Sequence, residues 1–316
     1  PMNKTLIAAA VLATLGSTAF AQSTVQIYGR LNLTVERQKL LGDTNWVMQN
    51  SASRWGMKGS EDLGGGLKAG FQLESGFNPA NGTTADRFFG RQSEVNLGGG
   101  FGMVRLGNFT SEAYYATSDY IGMHNHETGT SADAFYSYIG RNTGKVAYRT
   151  PNFGGATVEV AVTEGGSNPD RTYDLAANYD AGPLHLGAGF EKNGDARQFA
   201  GRVLYELGAF TVGATVQRDE DGWGAGFGKR TNFRVSGMYT IGNTELHANV
   251  GRTGSYSNAA GPDSALQYTL GVNYNLSKRT KIYSFFTKLS GDGADFYAQN
   301  STGVNRSLAV GVRHNF

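Results

Sequence analysis

Alternation is the feature that most constrains this chain. Residues 53–77, SRWGMKGSEDLGGGLKAGFQLESGF, place Trp55 and Met57 against Arg54, Gly56 and Lys58. Leu67, Ala69, Phe71 and Leu73 then oppose Lys68, Gly70, Gln72 and Glu74. Side chains on a strand point alternately to its two faces, so this is a β-hairpin with one apolar and one charged face. A soluble sandwich also alternates, but its apolar faces meet in a shared core. Here the pattern runs to the end of the chain with the polar side often charged. That predicts an antiparallel transmembrane β-barrel with lipid outside and water inside.

Composition agrees. The mean hydropathy is negative, and beyond the N-terminus no run reaches the ~20 apolar residues of a spanning helix. Residues 2–21 read as a secretory signal: Lys4, an apolar stretch from Leu6 to Leu15, and the small-residue box Ala19-Phe20-Ala21. Pro1 stands as an extra residue ahead of Met2, so the division is 1–21 signal and 22–316 barrel domain. The exported chain has no cysteine, so disulfides do not hold it together. Its formal charge is +2 with the signal and closer to neutral without it. No basic run points to nucleic acid.

The pattern divides into sixteen strands. The first covers 25–36, and after a loop to about 50 the opening hairpin supplies the second and third. The rest cover 88–97, 103–109, 141–150, 157–163, 172–179, 184–191, 198–207, 210–217, 232–241, 245–251, 266–276, 281–288 and 306–316. Fourteen or eighteen strands would also close evenly. The side-by-side Phe285 and Phe286 leave the fifteenth strand without a register. Every proline after Pro1 falls in a turn or loop, as the missing N–H requires. Hydrocarbon tolerates no open sheet edge, so the last strand must pair with the first. Residues 110–137 lack alternation, and a loop of that length is usually functional or disordered.

The stretches SRWGMKGSEDLGGGLKAGFQLESGF, FGRQSEVNLGG, YRTPNFGG, LSKRT and the strand ending in Phe316 resemble the β-proteobacterial branch of Gram-negative trimeric porins. The resemblance covers essentially the whole chain after the signal. It implies an integral barrel of the bacterial outer membrane, a homotrimer, and passive diffusion of ions and small hydrophilic solutes. It also implies a third loop folded into the lumen, contact with lipid and lipopolysaccharide, and recognition of the terminal Phe316 by the barrel-assembly machinery. The loop at 78–86 corresponds to one that latches a neighbouring subunit. Arg54 and Arg141 match family positions that line the constriction. At a third such position this chain has Gln92, next to Arg91, and the parity of Arg91 with Val95 and Leu97 turns it away from the lumen.

With residues 110–137 folded inward, Glu112, Asp119, Glu127 and Asp133 form an acidic loop. Alternation sets Arg54, Lys58, Arg105, Arg141, Lys145 and Arg149 on a basic wall facing it. Charges in a narrow passage act on an ion within one screening length, so a weak to moderate anion preference is expected. Other chemistry is poorly supported. His124-Asn125-His126 lacks a third ligand at metal spacing, and the Gly-rich stretches join strands rather than a strand and a helix, unlike phosphate loops. No cofactor or metal is implied. The rival readings are an outer-membrane barrel hydrolase, for which no nucleophile set declares itself, a solute-specific channel, and a secreted lectin-like sandwich.

Overall fold

The computed structural model describes residues 24–123, 134–164 and 170–316. The signal sequence expected at residues 1–21 lies outside these residues. Among them sixteen antiparallel strands close into one barrel. They are β1 Thr24–Leu40, β2 (Asp43–Asn50 continuing as Arg54–Gly64), β3 Leu67–Asn78, β4 Gln92–Gly99, β5 Gly102–Asn108, β6 Lys145–Arg149, β7 Ala156–Thr163 and β8 Thr172–Ala181. Then come β9 Leu184–Asn193, β10 Ala196–Leu207, β11 Phe210–Glu220, β12 Lys229–Ile241, β13 Thr244–Thr253, β14 Ala265–Asn275, β15 Thr280–Ser290 and β16 Arg306–Asn315. Each pairs with its chain neighbours, and β16 pairs with β1 from Arg30↔Asn315 to Lys39↔Arg306. The Phe316 N–H donates to the Gly29 carbonyl and the Gly29 N–H to the Phe316 carbonyl, both at 3.0 Å. Closure leaves no strand edge unpaired, the condition hydrocarbon imposes.

Alternation sorts the side chains as expected. Outward Val25 and Ile27 are 65% and 67% exposed, while inward Asn32, Thr34 and Glu36 are buried in the polar interior. On β15 the inward set is Tyr283, Phe285, Thr287 and Leu289, with Ile282, Phe286 and Lys288 outside. Cross-strand neighbours settle what the adjacent phenylalanines concealed: Tyr283 donates to Asn32 Oδ1 at 2.7 Å across the lumen wall.

One expectation fails at the first hairpin. Residues 43–50 are not loop. They are strand, paired with β1 through a turn of only Leu41 and Gly42. The two parts of β2 are separated at residues 51–53, where Ala52 takes φ +55°. Asn32 stitches the break, donating its Nδ2 to the Ser51 carbonyl and its N–H to Ser53 Oγ, both at 2.9 Å, while its carbonyl accepts from the Ser51 N–H at 2.9 Å. An interruption of this kind shifts parity without breaking the sheet, which is why the pattern does not reveal it. Connections at the end bearing the termini are short. Those at the other end include the long ones at residues 79–91, 109–144, 254–264 and 291–305.

Candidate functional site

The connection after β5 turns into the barrel. Ser111 starts a one-turn helix, α1 Glu112–Ala116, with its Oγ accepting from the Ala113 N–H at 3.1 Å. A 3₁₀ turn, Asp119–Ile121, follows. The buried face of this limb is Ala113, Ala116 and Ile121, and it lies on inward glycines of the wall. A Cβ on Gly189 would meet Ala113 Cβ at 2.8 Å, and one on Gly213 would meet Ile121 Cγ2 at 2.9 Å. At Gly189 the two backbones approach closely, and at Gly213 the Ile121 side chain already fills the space, so neither position has room for a side chain.

The returning limb is tied down by polar groups. The Ser137 N–H donates to Gln217 Oε1 at 3.0 Å, and Asn232 Nδ2 donates to the Phe135 carbonyl at 3.0 Å. Arg230, fully buried on β12, pairs with Asp219 at 2.8 Å and donates to Ser137 Oγ at 2.9 Å and Tyr297 Oη at 2.7 Å. Phe135 and Tyr297 pack with Leu289 and Trp223 at the outer end. Thus one limb rests on glycine and the other on a buried ion pair.

Beneath the connection lies a charge network. Arg105 bridges Glu94 at 2.7 Å and Glu159 at 3.2 Å, and its guanidinium lies 4.1 Å from the Phe109 ring centre. Arg149 reaches Glu159 at 2.8 Å and Glu112 at 2.5 Å. Lys145 stands 3.5 Å from Asp174 with 1% of its side chain exposed. Burial beside the wall lifts the Glu112 carboxyl above the usual carboxylate range, and Arg149 pulls it back only in part. Arg105 and Lys145 are therefore inward as expected, but they are covered and neutralised rather than open to passing solutes. Arg149 remains one-third exposed on the wall. Lys58 is exposed on the inner face, 5.4 Å from the Tyr28 ring centre.

The open charge gathers elsewhere. Arg30, Arg54 and Arg91 border an opening of about 450 Å³, shared with Ser111, Tyr114 and Asp119 of the inward connection. Arg30 and Arg54 are direct partners on β1 and β2. Like charges placed opposite each other destabilise a strand pair, so their presence marks a site rather than ordinary packing. One carboxylate serves the group: Glu74 lies 2.7 Å from Arg91 and 3.6 Å from Arg54, and it accepts from Tyr28 at 2.9 Å.

Arg91 corrects the sequence reading. It precedes β4, which begins at Gln92, so strand parity does not govern it and it turns into the lumen. Arg141 is the converse case. It stands ahead of β6, not on it, and donates to Thr163 Oγ1 at 3.4 Å and to the Glu164 carbonyl, while its neighbours Gly140 and Asn142 border the opening. Asp119 borders the opening and accepts from Tyr114 Oη at 3.2 Å. Glu127, Asp133 and the histidines at 124 and 126 lie outside the described residues. Sequence reasoning also passed over Tyr114, Tyr136 and Tyr138, whose rings sit 4.9 to 5.3 Å apart beside the opening. An irregular segment offers no period from which they could be picked out.

Comparison with known proteins places this architecture. A family model described as Gram-negative porin matches residues 8–294. Outer membrane porin protein 32 of Delftia acidovorans is 31% identical over 360 residues, covering 100% of both chains. The solved anion-selective porin from Comamonas acidovorans matches with a TM-score of 0.73 at 24% identity, covering 93% of this chain and 100% of that one. The trimer form of OmpT from Vibrio cholerae matches at 0.71 and 16% identity, covering 93% and 99%.

Proposed function

The chain belongs to the Gram-negative porin family, and from that premise we propose that its lumen favours small anions through the arginine cluster at Arg30, Arg54 and Arg91. The protein is an integral β-barrel of the outer membrane that forms a channel. Family and relatives point to a channel rather than an enzyme. Ions and small hydrophilic solutes cross by passive diffusion.

The observation that supports the selectivity is the gathering of three guanidiniums at one opening, where Asp119 and Glu191 are the acids on the border and Glu74 bridges Arg54 and Arg91. Asp119 contributes a negative charge on the opposing connection. An ion in the passage is within about 8 Å of these groups, one screening length at physiological salt. The cluster thus raises the local concentration of anions and lowers that of cations. Arg149, Lys58 and Arg141 act as secondary wall charges. Arg105 and Lys145 hold the connection in place from beneath, with Glu112 as the acid that links the two sets.

The assembled form is a homotrimer in this reading, as described for the Vibrio cholerae OmpT structure. Phe316 serves as the assembly signal, and lipopolysaccharide and the assembly machinery are partners by the same family reasoning. The test is the reversal potential of purified channels in a planar bilayer under a potassium chloride gradient. The wild type is expected on the anion side, Arg91→Ser nearer zero, and Arg54→Glu further toward cations because it changes two charges. A cation-selective wild type, or an Arg54→Glu channel with unchanged reversal potential, overturns the reading.

A further inference from the structure

Below the inward connection, toward the short turns, the inner wall carries a recess of about 480 Å³. One row of direct strand partners crosses it: Lys68 on β3, Gly98 on β4, Met103 on β5 and Arg149 on β6. All four share the inward parity of Glu74, Glu94, Arg105 and Lys145. Ser60 and Asn96 border the recess one level above that row.

The floor at Gly98 is bare although the fold does not demand it. A Cβ there would come no nearer than 3.6 Å to the Gly102 carbonyl and 3.7 Å to Met103 Cε, which is ordinary contact. Its φ is not in the left-handed region. Glycine inside a strand weakens the strand, so bare floor is kept at a cost. Gly189 and Gly213 make way for the inward connection, whereas Gly98 makes way for no part of the described chain. Gly70 differs again: a Cβ on it would meet Asn96 Oδ1 at 2.6 Å, so the Asn96 amide already lies across that position.

The two cations of the row are not equivalent. Arg149 is committed to Glu159 and Glu112. Lys68 is exposed, and among the described residues it makes no ion pair. Asp62, its direct partner on β2, instead accepts from the Gly64 N–H at 2.9 Å. The recess thus offers one uncommitted positive charge and one thioether, two strand spacings or about 10 Å apart, with the bare floor between them. A flat body lies easily on glycine, a methionine sulfur packs favourably against an aromatic ring, and an ammonium group takes a carboxylate by a charge-assisted hydrogen bond.

We propose that this recess is a binding station for aromatic carboxylates crossing the channel, with the carboxylate on Lys68 and the ring on Gly98 against Met103. The proposal rests on the chain being a channel, not on the selectivity of the cluster at Arg30, Arg54 and Arg91. Acetate and chloride bring no ring to hold and pass the recess freely, whereas an aromatic acid dwells there and obstructs the ions that follow.

The experiment records chloride conductance of purified channels in planar bilayers while benzoate, acetate or benzyl alcohol is added in steps. Benzoate is expected to lower the wild-type conductance saturably, and acetate and benzyl alcohol are not. Lys68→Gln should raise the half-blocking benzoate concentration about fivefold, and Gly98→Leu, which fills the floor, should abolish saturation. Conductance in chloride alone verifies that each variant has folded, with Gly98→Ala and Lys68→Gln carrying the test if the leucine variant does not fold. Arg91→Ser should shift the reversal potential in chloride yet keep the preference for benzoate over acetate, so failure of the station and failure of the selectivity reading are told apart. An unblocked wild type overturns the proposal, as does equal block by acetate, which makes this a general anion path, or by benzyl alcohol, which makes it an apolar crevice. Benzoate block lost in Arg91→Ser but intact in Lys68→Gln and in the glycine variants places the block at the arginine cluster and overturns it as well.

Discussion

Glu112 sits where burial and an ion pair pull its proton affinity in opposite directions, and burial wins. On acidification it takes up a proton at a higher pH than an exposed glutamate, which titrates near ~4.3. Losing a negative charge beside Arg149 leaves the wall more positive, so anion preference should rise as pH falls, beginning above the ordinary carboxylate range. In Glu112→Gln that early rise should be absent, as reversal potentials measured stepwise from neutral to acid pH will show. An identical pH profile in the variant removes Glu112 from the conduction path. At this scale the alternating pattern was informative only inside strands. It set Arg54 inward because that residue lies within regular pairing. It misdirected Arg91, one residue outside β4, where the chain is free to turn. For Arg105 and Lys145 it found the face but not the cover. Which side a residue occupies follows from its own strand, whereas what lies over it depends on a connection many residues away.

The element that defines the opening is the connection after β5, and its seat is main chain. Ala113 on α1 meets Gly189 of β9, and Ile121 on the turn after it meets Gly213 of β11, so a branched side chain on the wall has nowhere to go. Gly189→Val should push α1 away from the wall into the lumen, costing about 1–3 kcal/mol in overpacking and lowering single-channel conductance in planar bilayers. Conductance equal to wild type means the connection is not held by this contact. None of this seat was legible beforehand. Residues 110–137 have no period, and glycines in a strand could equally mark a bend or a bulge. The strands themselves were legible because lipid and water impose opposite demands every second residue. The exception, residues 43–50, is a strand with polar residues on both faces, DTNWVMQN, which reads as loop until β1 supplies a partner.

At the scale of the whole molecule, closure is the term that everything else needs. The last rung joins Phe316 and Gly29 by two backbone hydrogen bonds, each contributing about 1 kcal/mol net. Removal of Phe316 should therefore shift the urea unfolding midpoint of the refolded barrel downward by about 2 kcal/mol in free energy, apart from any effect on assembly in cells. No shift in vitro confines the role of Phe316 to recognition. The same seam has another consequence. Where the two ends of the polypeptide meet, β16, β1 and β2 bring Arg313, Arg30 and Arg54 onto neighbouring strands of the inner wall. Pairing of the two ends thus draws positive charges together. Dissolved counterions ease that approach, so the salt of the compartment in which the barrel matures takes part in finishing it.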